Sequence, residues 1–512
     1  MIGTISGWTS DASFFNTFPV ATLWIAGITV SLSVIYGYYC MKYQYWKMQN
    51  VDGPPPVVPF GNSLENFRGQ IHEEDMENVA KYGRVFGMYQ GTNPALVVTD
   101  PDILKDVLVR DFNIFSERFA RFFHPIQVQS LIAHNGKRWK DMRSIMTPTF
   151  TSGKMKSMHH LITYAVSNML TYMDNKMVAG SADLNNKELF SDLTMGVIAS
   201  CAFGTDTNPH QKDARDNIFV RRAKRFFEFN PYMLVLSMSL SESVLRFLKL
   251  TPTPPESLNF LIDLGRQILE HRKEMTTDGK KRVDLLQLMI DAERTAEDGS
   301  TDRLTDEEII ANIILVLIAG YDTTSTLLSM ATYSLALNKL AQDRLRDEII
   351  CAVQANGEIK YETIMSLKYM DAVVNETLRL FPPAVRVERT AVQDYVIKKL
   401  GIKVGKGDKI LVPIYAIHHQ AEFYPDPEKF DPDRFMPENK DKLVPYTFLP
   451  FVLGPRNCIG ARFALLEAKT ALAQVLLNYD LSPCPRTTVP LQFNSAILLQ
   501  AQEVIVRYKK RT

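Results

Sequence analysis

Cysteine is scarce in this chain: five in 512 residues, at Cys40, Cys201, Cys351, Cys458 and Cys484. They are odd in number, scattered, and never spaced as a CxxC pair. A disulfide framework and a structural zinc site are both disfavoured, and a reducing compartment is expected. Net charge is missing as well, with 58 basic against 57 acidic side chains, or +1. Without a basic excess to neutralise phosphates, nucleic acid is not an expected partner. The chain has no GxGxxG or GxxxxGK[ST] phosphate loop, no internal repeat and no long Gly/Ser linker. A mean hydropathy of −0.10 is too polar for a multi-span membrane protein. What remains, 46% hydrophobic and 22% charged residues, is the composition of a folded globular body. At about 150 residues per domain, the length alone predicts about three domains.

Charge disappears altogether between Ala12 and Met41, and Leu23–Tyr39 is strongly apolar. That stretch exceeds the ~20 residues that cross a bilayer and the ~7–15 of a signal-peptide core. Tyr36, Tyr38, Tyr39, Tyr43, Tyr45 and Trp46 crowd its C-terminal end, where an interfacial aromatic belt is expected. Lys42 and Lys47 follow while Asp11 precedes, which leaves the rest of the chain on the cytosolic side. The run Gly53-Pro54-Pro55-Pro56-Val57-Val58-Pro59-Phe60-Gly61 reads as a semi-rigid extended spacer. The expected division is an anchor (1–45), a proline-rich hinge (46–65) and one body (66–512). In the body, Val85–Asp100 reads as a hairpin around Gln90-Gly91-Thr92-Asn93. Helical periodicity fills most of 100–380, and extended segments return at 386–415. The expected fold class is mainly α with minor β (α+β).

Thr305-x-x-Glu308 is a capping box that opens a helix. Between Glu308 and Lys339 the sole charged residue is Asp322. Such a helix is either a second span, which would place Asp322 expensively at mid-bilayer, or the axis of a large core. Ala319-Gly320-Tyr321-Asp322-Thr323-Thr324 breaks helix rules inside it: glycine costs about 1 kcal/mol mid-helix, and a buried carboxylate needs a partner. A structural kink and a functional site both account for that cluster.

Cys458 lies in Phe451-Val452-Leu453-Gly454-Pro455-Arg456-Asn457-Cys458-Ile459-Gly460, just before the helical pattern Ala461–Asn478. A thiolate at a helix N-terminus is favoured by the dipole and by free backbone N–H groups. Gly454 and Gly460 let backbone approach a flat ligand, and Arg456 offers a cation to a carboxylate on it. A buried inert cysteine and a Cys-nucleophile hydrolase are the alternatives; the latter needs a histidine base that no motif nominates.

Together these residues resemble the cytochrome P450 haem-thiolate monooxygenases. Phe451-x-x-Gly454-x-Arg456-x-Cys458-x-Gly460 is similar to the family's haem-binding loop. Trp139-x-x-x-Arg143 resembles its propionate-clamping helix, and Ala319-Gly320-x-Asp322-Thr323-Thr324 its oxygen-activation motif. Glu376-x-x-Arg379, with Arg434 of Asp431-Pro432-Asp433-Arg434-Phe435, resembles its buried salt-bridge triad. The resemblance covers essentially the whole chain, including the anchor and hinge of microsomal members. Trp139–Met155 and Leu378–Thr390 look most like the clan of vertebrate drug-metabolising and insect detoxification enzymes.

The resemblance implies the P450 fold with one N-terminal transmembrane helix. It implies haem b ligated by the Cys458 thiolate, which favours O–O cleavage. Cofactor contacts are implied for Arg118, Trp139, Arg143, Ala319, Arg389, Phe451, Arg456, Gly460 and Ala464. Asp322 and Thr323 are implied to deliver protons, with Gly320 making room for dioxygen. Ile132, Ile318, Ala319, Ala384 and Val385 are expected to line the substrate space; Glu376, Arg379 and Arg434 are expected to be structural. Phe112–Phe123 and Phe226–Leu250, rich in Phe, Met and Leu, read as core or pocket wall. The implied activity is insertion of one oxygen atom from O2 into a lipophilic small molecule (xenobiotic, steroid or fatty-acid-like). With no fused flavin domain, electrons come from NADPH through NADPH-cytochrome P450 reductase, with cytochrome b5 as a second partner. The implied location is the endoplasmic reticulum membrane, single-pass, with the catalytic domain on the cytosolic face. Lys137 and Lys140, roughly opposite Trp139 and Arg143 on their helix, suit an acidic partner or a merely solvated face. Competing classes are a haem-thiolate isomerase, which has no need for an Asp322/Thr323 pair, and a non-catalytic haem or lipid carrier.

Two positions depart from the family pattern. Val452 stands where Gly or Ser is usual, from which a tighter or shifted hairpin is expected. Asp433 replaces the usual glutamate, a shorter carboxylate that leaves Arg434 in place.

Overall fold

The computed structural model describes residues 12–511 apart from 65–68, 119–123, 206, 208, 211–217, 227–232, 234–243, 245–246, 249–252, 276–283, 296–300, 357–358 and 495–497, and side chains from residue 22 onward except those of 275 and 356. Most of Phe226–Leu250, and the end of Phe112–Phe123, therefore lie outside the described residues.

The uncharged N-terminal run is one helix, Ala12–Lys42. Its 31 residues rise roughly 46 Å, more than a hydrocarbon core requires. Leu23, Trp24, Ile28 and Val34 are exposed, as lipid-facing side chains are.

The aromatic run at its end divides in two. Tyr36 and Tyr38 are exposed, but Tyr43 and Trp46 are buried in the body against the first hairpin, Val85–Gln90 and Asn93–Val98. Trp46 Nε1 donates to the Met88 carbonyl (2.9 Å), and Tyr89 Oη donates to that of Tyr43 (3.0 Å). The proline run is folded down as well. Gly87 N–H donates to the Asp52 carbonyl (2.8 Å), and Tyr89 N–H donates to Asn62 Oδ1 (2.9 Å). The segment expected as a hinge is thus tied to the body at Trp46, Asp52 and Asn62, whose polar groups find partners on the hairpin rather than in water.

The hairpin is the one the sequence predicts, turning at Gly91-Thr92. Its second strand pairs in parallel with Lys409–Val412, which pairs antiparallel with Val387–Thr390. Smaller two- and three-stranded sheets flank a helical mass, so the fold is mainly α with minor β.

The Thr305/Glu308 capping box is formed at both hydrogen bonds and starts a 32-residue helix, Asp306–Leu337. This central helix runs unbroken through the Gly320–Thr324 cluster and is buried among Asn186–Ala202, Pro255–Met275, Lys368–Leu380 and Ala461–Asn478. It is the core axis rather than a second span. Buried polar ties fix its rotation. Asn312 Oδ1 accepts from Leu131 N–H (2.9 Å), and Thr194 Oγ1 donates to the Tyr321 carbonyl (2.9 Å).

Candidate active site

One cavity of about 380 Å³ opens between the central helix, the Gly136–Met146 helix and the Cys458 loop. The loop is a closed hairpin, with Cys458 N–H donating to the Phe451 carbonyl (2.9 Å). Within it Val452 takes φ +59°, in the left-handed region that a β-branched residue rarely occupies. Gly454 is also left-handed, and a Cβ on it would lie 1.8 Å from the Leu108 carbonyl oxygen. Its small size therefore seats the loop on the body, not on a ligand, whereas a Cβ on Gly460 meets open space. Cys458 lies just ahead of the helix Ala461–Asn478 and is open to the cavity although protein encloses it on the other sides. Burial pushes its thiol pKa up; N–H groups of Gly460 and Ala461 and the cations of Arg143 and Arg118 pull it down. Phe451 and Ala464 complete this side of the wall.

Arginines gather at one end of the cavity. Arg118 Nη2 donates to the Arg456 carbonyl (2.9 Å), and Arg456 Nη2 to Asn135 Oδ1 (2.8 Å). Arg143 holds Asn457 through its carbonyl (3.0 Å) and Oδ1 (2.7 Å). The Arg456 guanidinium lies 4.4 Å over the Trp139 ring, so Trp139 braces a cation rather than standing free. Arg389 is fully buried beside them, and its Nε and Nη2, like Arg456 Nε, find no hydrogen-bond acceptor among the described residues. Burial and the neighbouring cations lower Arg389 to about 8 and Arg456 to about 9. Orphaned, mutually repelling guanidinium groups are costly unless an anion joins them. A flat apolar ligand with carboxylates at one edge and a metal facing Cys458 fits this cradle, and haem has those features.

The central helix supplies the opposite wall through Val316, Ala319, Gly320, Thr323 and Leu327, which share one face. Thr323 lines the cavity, and its Oγ1 donates to the Ala319 carbonyl (2.6 Å). Asp322 is elsewhere. It is 5% exposed, absent from the cavity wall, and accepts from Gln500 Nε2 (2.5 Å). Burial raises its pKa against that hydrogen bond and the charge of Lys187. Gly320 borders the cavity, but a Cβ on it would lie 2.6 Å from Ile198 Cδ1. Its missing side chain admits the neighbouring helix rather than a gas molecule alone.

Ile132 and Ala384 line the cavity with Ala319, but Ile318 and Val385 do not. Ile318 is turned off the Ala319–Thr323 face into the core. Val385 is pinned by its carbonyl, which accepts from Tyr415 N–H (3.1 Å), among Ile71 and Leu499. Phe150, Leu315 and Val387 take their places. Counting i+3/i+4 from Ala319 picks out Leu315 and Val316; no local signal marks Phe150.

Glu376 and Arg379 form a fully buried bidentate pair, with Nε and Nη2 each 2.8 Å from a carboxylate oxygen. Arg434 Nε is 3.6 Å from Glu376 Oε1, an ion pair rather than a hydrogen bond. Asp433 turns outward to Arg344 (2.7 Å) and takes no part. On the outer face Lys137 and Lys140 are exposed, while Arg138 between them turns inward to Glu308.

The family model for Cytochrome P450 matches residues 51–507. "Cytochrome P450 3A31" of Mesocricetus auratus is 37% identical over 486 residues, 94% of this chain and 95% of that protein. "Cytochrome P450 3A11" of Mus musculus is 36% identical over 489 residues, again 94% and 95%. "Cytochrome P450 3A7" of Homo sapiens is 37% identical over 488 residues, with the same coverage.

Proposed function

This chain belongs to the cytochrome P450 family, and from that premise we propose how its residues divide the work. The protein is a haem-thiolate monooxygenase anchored in the endoplasmic reticulum membrane by one N-terminal helix. It takes electrons from NADPH through a separate reductase and places one atom of dioxygen in a lipophilic small molecule. When bound, haem supplies the site that takes up dioxygen and cleaves its O–O bond.

Cys458 is the proposed iron ligand, with its thiolate held by helix N–H groups and nearby arginines. Arg118, Arg143, Arg389 and Arg456, with Trp139, are the proposed partners of the haem carboxylates. Among these, Arg389 and Arg456 have the orphaned donors such an anion would satisfy. The cavity wall is almost wholly aliphatic and aromatic above the loop, so it admits apolar substrates and excludes water. Thr323 is the proposed inner proton donor at the cavity wall. Asp322, turned off the cavity face of the helix, is the proposed outer one; a proton it releases reaches Thr323 by a water or a turn of its side chain.

The observation that carries this reading is Cys458 open to an apolar cavity lined by Arg456, with Arg389 buried beside it and both carrying donors unfilled among the described residues. Carbon monoxide added to the reduced protein tests it. A red-shifted Soret band is expected, and Cys458→Ala abolishes it. A band without the shift in the unaltered protein sinks the assignment.

A further inference from the structure

The triad and the thiolate loop are joined by a side chain that neither motif contains. His418 is fully buried at the end of the short helix Ile414–His418. Its Nε2 accepts from Leu449 N–H (2.9 Å), and its Nδ1 lies 3.1 Å from the Arg379 carbonyl. Arg379 Nη1 in turn donates to the His418 carbonyl (2.9 Å). A backbone N–H can only donate, so Nε2 must be bare; Nδ1 then carries the hydrogen and donates to Arg379. The ring is clamped in that plane by Phe448 (5.6 Å between centroids, 25°) and by the edge of Tyr424 (6.2 Å, 74°). Burial, with the charges of His419 and Arg379, holds it neutral down to about 3.

Leu449 is where the loop needs holding. Its carbonyl accepts from the N–H of left-handed Val452 (2.9 Å), and Phe451, two residues on, takes the Cys458 N–H. The other polar contacts of the triad run to Asp426, Lys429 and Asp431, upstream of this loop. A second tie, Tyr424 Oη to Thr447 Oγ1 (3.2 Å), reaches only the residues ahead of it.

We propose that His418 is the positioning residue that transmits the rigidity of the Glu376–Arg379 pair to the loop presenting Cys458, acting as a fixed neutral bridge between Arg379 and Leu449. The proposal rests on the reading of Cys458 as the iron ligand. His418 touches neither iron nor substrate; it sets how firmly the thiolate is presented.

The test uses the full-length, haem-loaded protein in bilayers, with haem content and the carbon monoxide spectrum of the reduced form measured together. His418→Asn keeps a donor near the Arg379 carbonyl but cannot reach Leu449. His418→Gln is long enough to place an amide oxygen there. With His418→Asn, haem content stays near normal while the red-shifted band converts to the unshifted one at least tenfold faster; His418→Gln restores most of its lifetime. Tyr424→Phe, which cuts the other tie, leaves the lifetime unchanged. Combining His418→Asn with Glu376→Gln adds little to the conversion rate of Glu376→Gln alone. A normal lifetime in His418→Asn, or fully additive rates in the double variant, overturns the bridge. Absence of the red-shifted band from the unaltered protein fails the Cys458 reading instead, which keeps the two failures apart. Should His418→Asn not accumulate, the rates for His418→Gln and Glu376→Gln, alone and combined, decide by the same additivity criterion.

Discussion

Replacing Gly87 with alanine isolates the joint between anchor and body. The new Cβ would lie 2.4 Å from Trp46 Cγ and 2.5 Å from Cδ1. These are atoms of a rigid ring, and the ring is held by Met88, so it cannot yield by a rotamer change. The methyl must expel the indole or push the strand off Asp52. Trp46 is 2% exposed, and losing such a side chain from a core costs about 3–5 kcal/mol. Loss of the indole's hydrogen bond to the Met88 carbonyl adds about 1 kcal/mol. Gly87→Ala and Trp46→Ala are therefore expected to destabilise the body by similar amounts. The double variant should be no worse than Trp46→Ala alone, since the methyl then fills vacated space. Denaturant unfolding followed by loss of the haem spectrum measures all three. Linear dichroism of haem in oriented bilayers provides the second readout. A body clamped through Tyr43 and Trp46 holds one tilt, and both single variants should broaden it. Additive destabilisation, or an unaltered tilt distribution in Trp46→Ala, would refute the clamp and restore a hinge at this point.

Val452→Gly should raise stability by about 1 kcal/mol. Relief of left-handed strain, worth about 1–3 kcal/mol, outweighs the extra freedom of glycine in the unfolded chain; an unchanged denaturant midpoint would count against strain in the loop. Acid should unfold the protein early. His210, His418 and His419 are buried neutral with pKa values near 4, 3 and 4 against an ordinary 6.5. The folded values are depressed, so their contribution is whole above 6.5 and falls as pH drops. By pH 5 each forfeits about 2 kcal/mol, together comparable to a domain's net stability. His210→Gln should move the acid midpoint down by its own share, and no movement would argue that His210 charges freely in the fold. Thr323→Val keeps the cavity volume and removes the hydroxyl. Product formed per NADPH should fall roughly tenfold, below the ~10²–10⁴ of an irreplaceable acid because water can stand in. Full coupling in this variant would remove Thr323 from the proton path.

What the sequence makes legible here is whatever a residue's neighbours in the chain decide. The capping box at Thr305, the hairpin about Gly91, the helix that opens after Cys458 and the Glu376/Arg379 pair are all closed by partners within a few positions. Side-chain direction at the site is decided differently. Ile318 and Ala319 are adjacent in sequence and face the core and the cavity, because Leu131 and Thr194 set the helix rotation from outside it. Asp322 and Thr323, read as a pair, are parted by that same rotation, and Gln500, 178 positions away, claims the carboxylate. The aromatic run shows the limit most plainly. Tyr38 and Trp46 carry the same amphipathic chemistry, and composition assigns both to a membrane interface. A notch beside Gly87 gives Trp46 a carbonyl to bond and a wall to pack on, whereas Tyr38 has no such wall and remains exposed. His418 has no motif at all. Its role follows from two acceptor–donor relations, 39 and 31 positions distant, that fix one tautomer. Local patterns thus identify the groups that react, while distant contacts determine where they point and how firmly they are held.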